Sequence, residues 1–231
     1  MPAQRIGMFL IVGVLALLGS RSLAAQPTTR PIEISAEFLG GDAARKAIVD
    51  ESVEPYFSLL QPMDMTAKTG RPIVGSTIEQ QRDECRGRYA DAVREFTEEE
   101  KDGIRWYLDR IVPEAAKDFP RLARTPWSFI KVSGTIEGGL PHTRGQHIIL
   151  PETLVAQLVR PTATRDPEWL ALANFGEMLI HEQTHVIQRK RKAEFAKFYE
   201  QVWGFQHARS IETGDWLTVH QVLDPDGVDQ H

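Results

Sequence analysis

Residues 176–190 read GEMLIHEQTHVIQRK, and the pattern around this stretch decides most of what the chain can be. Apolar residues recur three and four positions apart across 169–192, which predicts one long helix. They fall on two flanks of that helix, so both flanks are expected to pack against other parts of the protein. His181 and His185 lie in the gap between the flanks. Burying two imidazoles there is costly unless each of them finds a polar partner.

The pentapeptide 181–185 has the form H-E-x-x-H. Positions four apart lie on the same face of a helix, so His181 and His185 can both direct a ring nitrogen at one ion. Zinc accepts neutral imidazole at about 2.0–2.1 Å and favours four ligands. Glu182 lies about 100° further around the helix, where its carboxylate misses the ion but reaches a water that the ion acidifies. The motif therefore predicts a Zn²⁺ site with Glu182 as the general base.

The same stretch resembles the active-site helix of the zincin metallopeptidases, with apolar residues before the motif and Val186 directly after it. The resemblance implies that His181 and His185 are metal ligands and that Glu182 is the general base. It also implies an α+β fold, mostly helical, with a small mixed β-sheet over the active-site helix. In that family an edge strand of the sheet binds the peptide in extended form, and residues 135–151 lie where such a strand is expected.

The third protein ligand separates the branches of the zincins. Zincins with a third histidine place a glycine three residues, and a histidine six residues, after the second histidine of the motif. Here those two positions hold Gln188 and Arg191, so this branch is excluded. The gluzincin branch uses a glutamate on a helix further downstream, and this is the branch that the chain can match.

Several acids and histidines downstream of the motif are candidates for that ligand: Glu194, Glu200, His207, Glu212, Asp215 and His220. Glu212 is favoured over Glu200 and His207, because a turn at Gly204 gives the chain room to return to the metal. For each candidate the alternative is an ordinary surface residue. If the chain supplies only two ligands, zinc affinity falls and catalytic activity becomes doubtful.

His142 and Arg144 lie in a glycine-flanked loop close to the expected substrate strand. Their side chains could hold a substrate carbonyl or carboxylate, or stabilise an oxyanion. Hydrogen bonding to neighbouring backbone is an equally good interpretation of both residues. We take His142 and Arg144 as the candidate substrate-binding residues.

Local patterns predict helices in front, then two strands, then helices again. Residues 61–77 are rich in Pro, Gly, Thr and Lys, which predicts a long loop. The Asp-rich tail that begins at Leu223 predicts a solvated loop, since its spacing lacks the glycine and glutamate of a calcium-binding loop. The expected helices cover 43–60, 78–96, 97–112, 152–159, 169–192 and 193–203, and the expected strands cover 127–132 and 147–150.

The N-terminal 24 residues have the features of a secretory signal peptide. Arg5 precedes an uncharged apolar run at 8–19, which is shorter than the roughly 20 residues of a transmembrane helix. Small residues, Ser22 and Ala24, stand at the −3 and −1 positions of a cleavage site. We expect a secreted or periplasmic protein with no stable membrane span after cleavage, and an uncleaved anchor is the alternative. The predicted organisation is signal peptide 1–24, N-terminal helical region 25–126 and zincin-like metal-binding region 127–231.

Composition limits the remaining possibilities. The chain has 231 residues, is 42% hydrophobic and carries a formal net charge of −5. The apolar fraction can build a core, and the mild acidity argues against a nucleic-acid partner. Cys85 is the only cysteine, so no intramolecular disulfide can form, and this thiol is expected to be half-buried and inert or to pair between chains.

These patterns lead to one preferred function and one alternative. The preferred function is an exported zinc-dependent peptidase that hydrolyses peptide bonds of a peptide or protein substrate, with Glu182 as the general base. The alternative is a catalytically inactive secreted protein that binds zinc or peptide through a zincin-like site. Measurement of bound metal and of hydrolysis separates the two.

Overall fold

The computed structural model describes residues 33–164, 169–206 and 214–227, and the expected signal peptide lies outside these ranges. Within them the chain forms an α+β fold with a five-stranded mixed sheet. The strands are β1 (Ala36–Leu39), β2 (Val93–Arg94), β3 (Trp127–Val132), β4 (His142–Arg144) and β5 (His147–Pro151). The helices are α1 (Gly41–Ile48), α2 (Pro62–Thr69), α3 (Ile78–Ala92), α4 (Glu98–Asp118), α5 (Pro120–Arg124), α6 (Glu152–Thr164), α7 (Trp169–Lys190), α8 (Lys192–Trp203) and α9 (Asp215–His220).

The sheet has the order β1-β3-β5-β4, with β2 pairing to β3 beyond the end of β1. Strands β1, β3 and β5 are parallel, with Phe38 opposite Phe129 and Phe129 opposite Ile148. Strand β4 runs antiparallel to β5 and places Thr143 opposite Ile148. Because β4 is the last strand of this path, it forms an edge of the sheet on the side where the tail of the chain returns.

Successive side chains of the strands pack into two separate hydrophobic cores, one on each face of the sheet. On one face Phe129 and Ile148 pack with buried side chains of α4, α6 and α7. On the other face Ile130 and Ile149 pack with α1, α2 and α3. This arrangement follows from the two-residue period of a strand, which sends successive side chains to opposite faces. Helix α7 is thereby fixed against one face of the sheet.

The predicted helix at 43–60 is shorter in the structure, and the predicted loop at 61–77 contains helix α2. Helix α1 ends at Ile48. The carboxylates of Asp50 and Glu51, which follow it, accept hydrogen bonds from backbone N–H groups later in the chain. The Asp50 carboxylate accepts a hydrogen bond from the Ser52 N–H, and Glu51 accepts one from the Tyr56 N–H. Such side-chain acceptors compete with helical hydrogen bonds and stop the helix before Pro55 is reached.

Strand β1 was missed, although its alternation could have revealed it. Ile34, Ala36 and Phe38 face one core and Leu39 faces the other. The segment pairs with β3, so the sheet draws strands from both sides of residue 126.

The capping box at Thr97 and the strands at 127–132 and 147–150 are confirmed, and the helix expected at 169–192 is α7. No helix among the described residues is long and apolar enough to cross a membrane.

Candidate metal and catalytic site

Helix α7 is anchored by its inward face. Leu179 and Val186 are fully buried in the core beneath the sheet. Between them lies Gln183, which is also fully buried and whose Nε2 donates to the carbonyls of Thr125 and Pro126, each at 3.2 Å. Packing and these two hydrogen bonds fix the rotation of α7 about its axis. That rotation leaves the two motif histidines only partly buried.

The two imidazole rings converge. The Nε2 atoms of His181 and His185 are 3.1 Å apart, and the ring planes meet at 80°. Two ligand atoms at about 2.0–2.1 Å from one tetrahedral ion are separated by about 3.3–3.4 Å. The same distance also suits a hydrogen bond between one protonated and one unprotonated ring nitrogen. The tautomers of the two rings therefore decide what the pair can do.

The tautomer of His185 follows from its second ring nitrogen. Nδ1 of His185 lies 2.7 Å from Oε1 of Gln188, and Nε2 of Gln188 donates to the Tyr199 hydroxyl at 2.6 Å. Because the Gln188 amide oxygen can only accept, Nδ1 carries the proton. In the tautomer with the proton on Nδ1, Nε2 of His185 presents a lone pair toward His181. This hydrogen bond from the outer nitrogen is the usual device that orients a metal-ligating histidine.

His181 is also held in a state that suits a ligand. Burial lowers the pKa of its imidazole, and the neighbouring His185 lowers it further. A neutral ring is the form that binds a metal. The donor set and its orientation thus fit a zinc ion, with His181 and His185 as the two residues that would hold it.

Glu182 is nearly inaccessible, at 3% exposed. Its Oε2 atom is buried and has no hydrogen-bond partner. Burial raises the pKa of this carboxyl well above its usual value, and Asp226 and Asp224 raise it further, while Arg189 opposes them. A buried acid with one unsatisfied oxygen, directly beside the paired imidazoles in sequence, has the character of a group that takes up and releases a proton.

The predicted third ligand cannot be placed, because Glu212 and His207 both lie in 207–213, outside the described residues. Glu200 is exposed on α8, as expected of a solvated acid. Glu194 forms ion pairs with Arg121 and Arg191 at the surface. Among the residues that the structure describes, no group of three His, Cys, Asp or Glu side chains is arranged to hold a metal.

His142 and Arg144 form β4 and are 1% and 0% exposed. Nδ1 of His142 lies 3.1 Å from the Leu140 carbonyl, and the Arg144 guanidinium lies over the Tyr56 ring, 4.0 Å from its centroid. NH1 of Arg144 is 3.8 Å from the Glu54 carboxylate. Both side chains support the edge strand from within. Their contact with a substrate stays a prediction, and this burial does not favour it.

Two features of the site were missed by the sequence. The tail after α9 is not a solvated loop throughout: Leu223 is 8% exposed and packs into the core. Asp226, three residues on, accepts hydrogen bonds from the Thr143 backbone and hydroxyl at the sheet edge. Arg189, in the last turn of α7, is buried and donates to the Pro225 carbonyl. Leu223, an apolar residue in an Asp-rich tail, was the sequence signal that the tail is partly buried. No local pattern indicated that Arg189 is buried.

Comparisons of the chain with protein-family models, curated proteins and solved structures find no match. The resemblance of 176–190 to the zincins therefore stays a prediction. What remains for a functional proposal is the arrangement of His181, Glu182 and His185 on α7, and the side chains around them.

Proposed function

We propose that the chain is an exported zinc-dependent peptidase in which His181 and His185 hold the metal and Glu182 acts as the general base. The observation that carries this proposal is the pair of converging Nε2 atoms, with the His185 tautomer set by Gln188. Export is proposed from the signal-like segment at 1–24. Zinc, when bound, polarises a carbonyl and makes water acidic near neutral pH.

The residues of the chain divide the work of hydrolysis between them. Glu182 takes a proton from the attacking water and returns it to the leaving amine, so that one water is added across the peptide bond. Its low exposure excludes bulk water from that proton transfer, which strengthens electrostatic interactions inside the site. Helix α7 contacts β4, the edge strand, through Arg189 and Thr143.

A second candidate is a secreted zinc-binding or peptide-binding protein with no turnover. The observation that favours it is that the described residues include no set of three metal-ligating side chains. In this case the two histidines would bind a metal weakly, and Glu182 would be a buried acid with no catalytic role. Zinc binding is expected of the peptidase and of the zinc-binding form of the second candidate, and hydrolysis is expected of the peptidase alone.

The test measures bound zinc and hydrolysis on the same preparations of the purified chain. Zinc is counted by mass spectrometry after dialysis against a zinc buffer, and hydrolysis is followed on a mixed peptide library. Glu182→Gln should keep the zinc and lose hydrolysis by at least about 100-fold, because the general base contributes about 10²–10⁴-fold. The matched control is Glu177→Gln, which changes an exposed glutamate on the same helix and should alter neither.

His181→Ala and His185→Ala should each lose the zinc. If the unmodified chain binds no zinc, the peptidase and the zinc-binding form of the second candidate are both wrong, and only the peptide-binding form remains. If it binds zinc and cleaves nothing in the library, the second candidate replaces the first.

A further inference from the structure

The tail of the chain ends its described part in a tight turn. Residues 224–227 read DPDG, with proline at the second position, which favours a β-turn. The structure contains this turn: the Gly227 N–H donates to the Asp224 carbonyl at 3.1 Å, and the Asp226 N–H donates to Oδ1 of Asp224 at 3.0 Å. The turn therefore holds its own shape and presents the Asp226 side chain to the rest of the protein.

The residue before the turn is anchored in the core, whereas the turn itself is not. The Leu223 N–H donates to Oδ2 of Asp64 at 3.2 Å, and its carbonyl accepts from Nζ of Lys68 at 2.5 Å. Asp64, Lys68 and Leu223 are all buried. The four residues of the turn are half-buried or exposed. The turn can therefore leave the protein surface while Leu223 stays in place.

The Asp226 carboxylate occupies the outer edge of the sheet. Its Oδ1 atom accepts from the Thr143 N–H at 2.5 Å and from the Thr143 hydroxyl at 2.7 Å. Thr143 is the middle residue of β4 and is 0% exposed. In an antiparallel pair, alternate residues direct their N–H away from the partner strand, and Thr143 is such a residue because its N–H meets the tail. A buried N–H left without an acceptor is costly, so this position requires one.

Arg189 makes the same position favourable for a negative charge. One of its NH groups donates to the Thr143 hydroxyl, which leaves the hydroxyl proton free to go to Asp226. The other NH group donates to the Pro225 carbonyl at 2.6 Å. Nε of Arg189 is 2.5 Å from the Glu54 carboxylate, which holds the buried guanidinium in place. We call the Thr143 N–H and hydroxyl, backed by Arg189, the carboxylate site.

We propose that the turn 224–227 is an internal ligand of the carboxylate site, and that an acidic side chain of a peptide substrate binds there when the turn moves away. This inference rests on the peptide recognition of the proposed function and adds the class of peptide, one that contains Asp or Glu. The extended backbone of a bound peptide adds to sheet edges through their free N–H groups. Here the group already bound at the edge is a carboxylate, which favours an acidic peptide over a neutral one.

The attachment of the turn to the chain explains why it has to be displaced. A ligand tethered by a short segment competes at an effective concentration of the order of millimolar. A free peptide that makes the same contacts is therefore largely excluded from the unmodified protein. Removing the Asp226 carboxylate takes away this competitor and leaves Thr143 and Arg189 unchanged.

The test titrates two peptides against the ¹⁵N-labelled full chain and its variants, and follows the Thr143 amide signal by NMR. The first peptide has the sequence of residues 224–227 with blocked ends, and the second has asparagine at both acidic positions. The variant Asp226→Ala vacates the carboxylate site. Asp215→Ala is the matched control, because it removes an exposed acid from the same C-terminal part of the chain.

The acidic peptide should shift the Thr143 signal of Asp226→Ala and bind at least about 10-fold more tightly than its asparagine counterpart, since hydrogen bonds to a charged group are stronger by about that factor. It should leave this signal unchanged in the unmodified chain and in Asp215→Ala. In hydrolysis of the mixed library, Asp226→Ala should lower KM about 10-fold for peptides with Asp or Glu and leave kcat and neutral peptides unaltered.

Equal binding of the two peptides, or no shift of the Thr143 signal in Asp226→Ala, would overturn the inference. A positive titration with no gain for acidic peptides in the library would overturn its substrate part. If the unmodified chain neither binds zinc nor hydrolyses peptides, the peptidase is wrong, and the titration still decides whether the site takes a carboxylate. If Asp226→Ala does not fold, Asp226→Asn, which keeps the acceptor oxygen and loses the charge, is titrated in its place with the same criteria.

Discussion

Replacing Gln188 by leucine tests whether the orientation of His185 is what makes a metal site here. The Gln188 amide links two groups: it accepts from Nδ1 of His185 at 2.7 Å and donates to the Tyr199 hydroxyl at 2.6 Å. Leucine is similar in size, so the change removes both hydrogen bonds and little of the packing. Without the acceptor, the His185 ring can adopt the tautomer that carries its proton on Nε2, which blocks the atom that would bind zinc.

Loss of such a hydrogen bond behind a ligand lowers metal affinity by about 10–100-fold, which corresponds to about 1.4–2.7 kcal/mol of binding free energy. Tyr199→Phe removes only the outer contact of the Gln188 amide, so its effect should be at the low end of this range or below it. The matched control is Gln201→Leu, which changes an exposed glutamine on α8 and should leave zinc affinity unaltered.

Isothermal titration with Zn²⁺ measures the affinities, and thermal unfolding without metal checks that each variant is folded. If Gln188→Leu is folded and binds zinc as tightly as the unmodified chain, the tautomer of His185 is not set by Gln188. The geometric case for the metal site would then depend on the 3.1 Å separation of the two Nε2 atoms alone.

Two further predictions concern groups away from the site. Burial raises the pKa of the fully buried Cys85 thiol to about 12. We therefore expect no reaction with a thiol reagent at pH 8 in the native protein and one reactive thiol in urea; native labelling would contradict this burial. Burial disfavours the charged form of Glu51, but hydrogen bonds from the Ser58 and Tyr56 N–H groups and from Arg86 outweigh it and lower its pKa from 4.5 to about 2. Since the folded-state pKa is depressed, ionised Glu51 stabilises the fold above pH 4.5, and this stabilisation is lost as the pH falls toward 2. Urea unfolding should show Glu51→Gln less stable by roughly 1–3 kcal/mol at pH 7 and no different near pH 2, and a constant difference across this range would show that the low pKa is wrong.

The burial of Cys85 also bears on what the sequence predicts for the exposure and pairing of this thiol. The sequence predicts a thiol that is half-buried and inert or that pairs between chains. In the structure it lies inside the core between α3 and the residues around Phe57, with no exposed surface. A disulfide between two chains cannot form from this position without opening that core.

Much of the fold near the site was accessible from local pattern. The capping box at Thr97 predicted the start of a helix, and the alternation at 127–132 predicted a strand. The structure confirms both. Patterns failed where side chains redirect the backbone, as at Asp50 and Glu51, which end α1 early. Strand β1 also escaped prediction, because its alternation covers only four residues and the strand is stabilised largely by pairing with β3.

The sequence alone determined that His181 and His185 share one face, because a helix brings positions four apart together whatever surrounds it. The tertiary structure alone decided which face of α7 is buried and that Asp226 reaches Thr143 beside the motif. Those facts depend on contacts between segments far apart in the chain. Such contacts are set by how the sheet, helices and tail pack together, and no local period in the sequence records them.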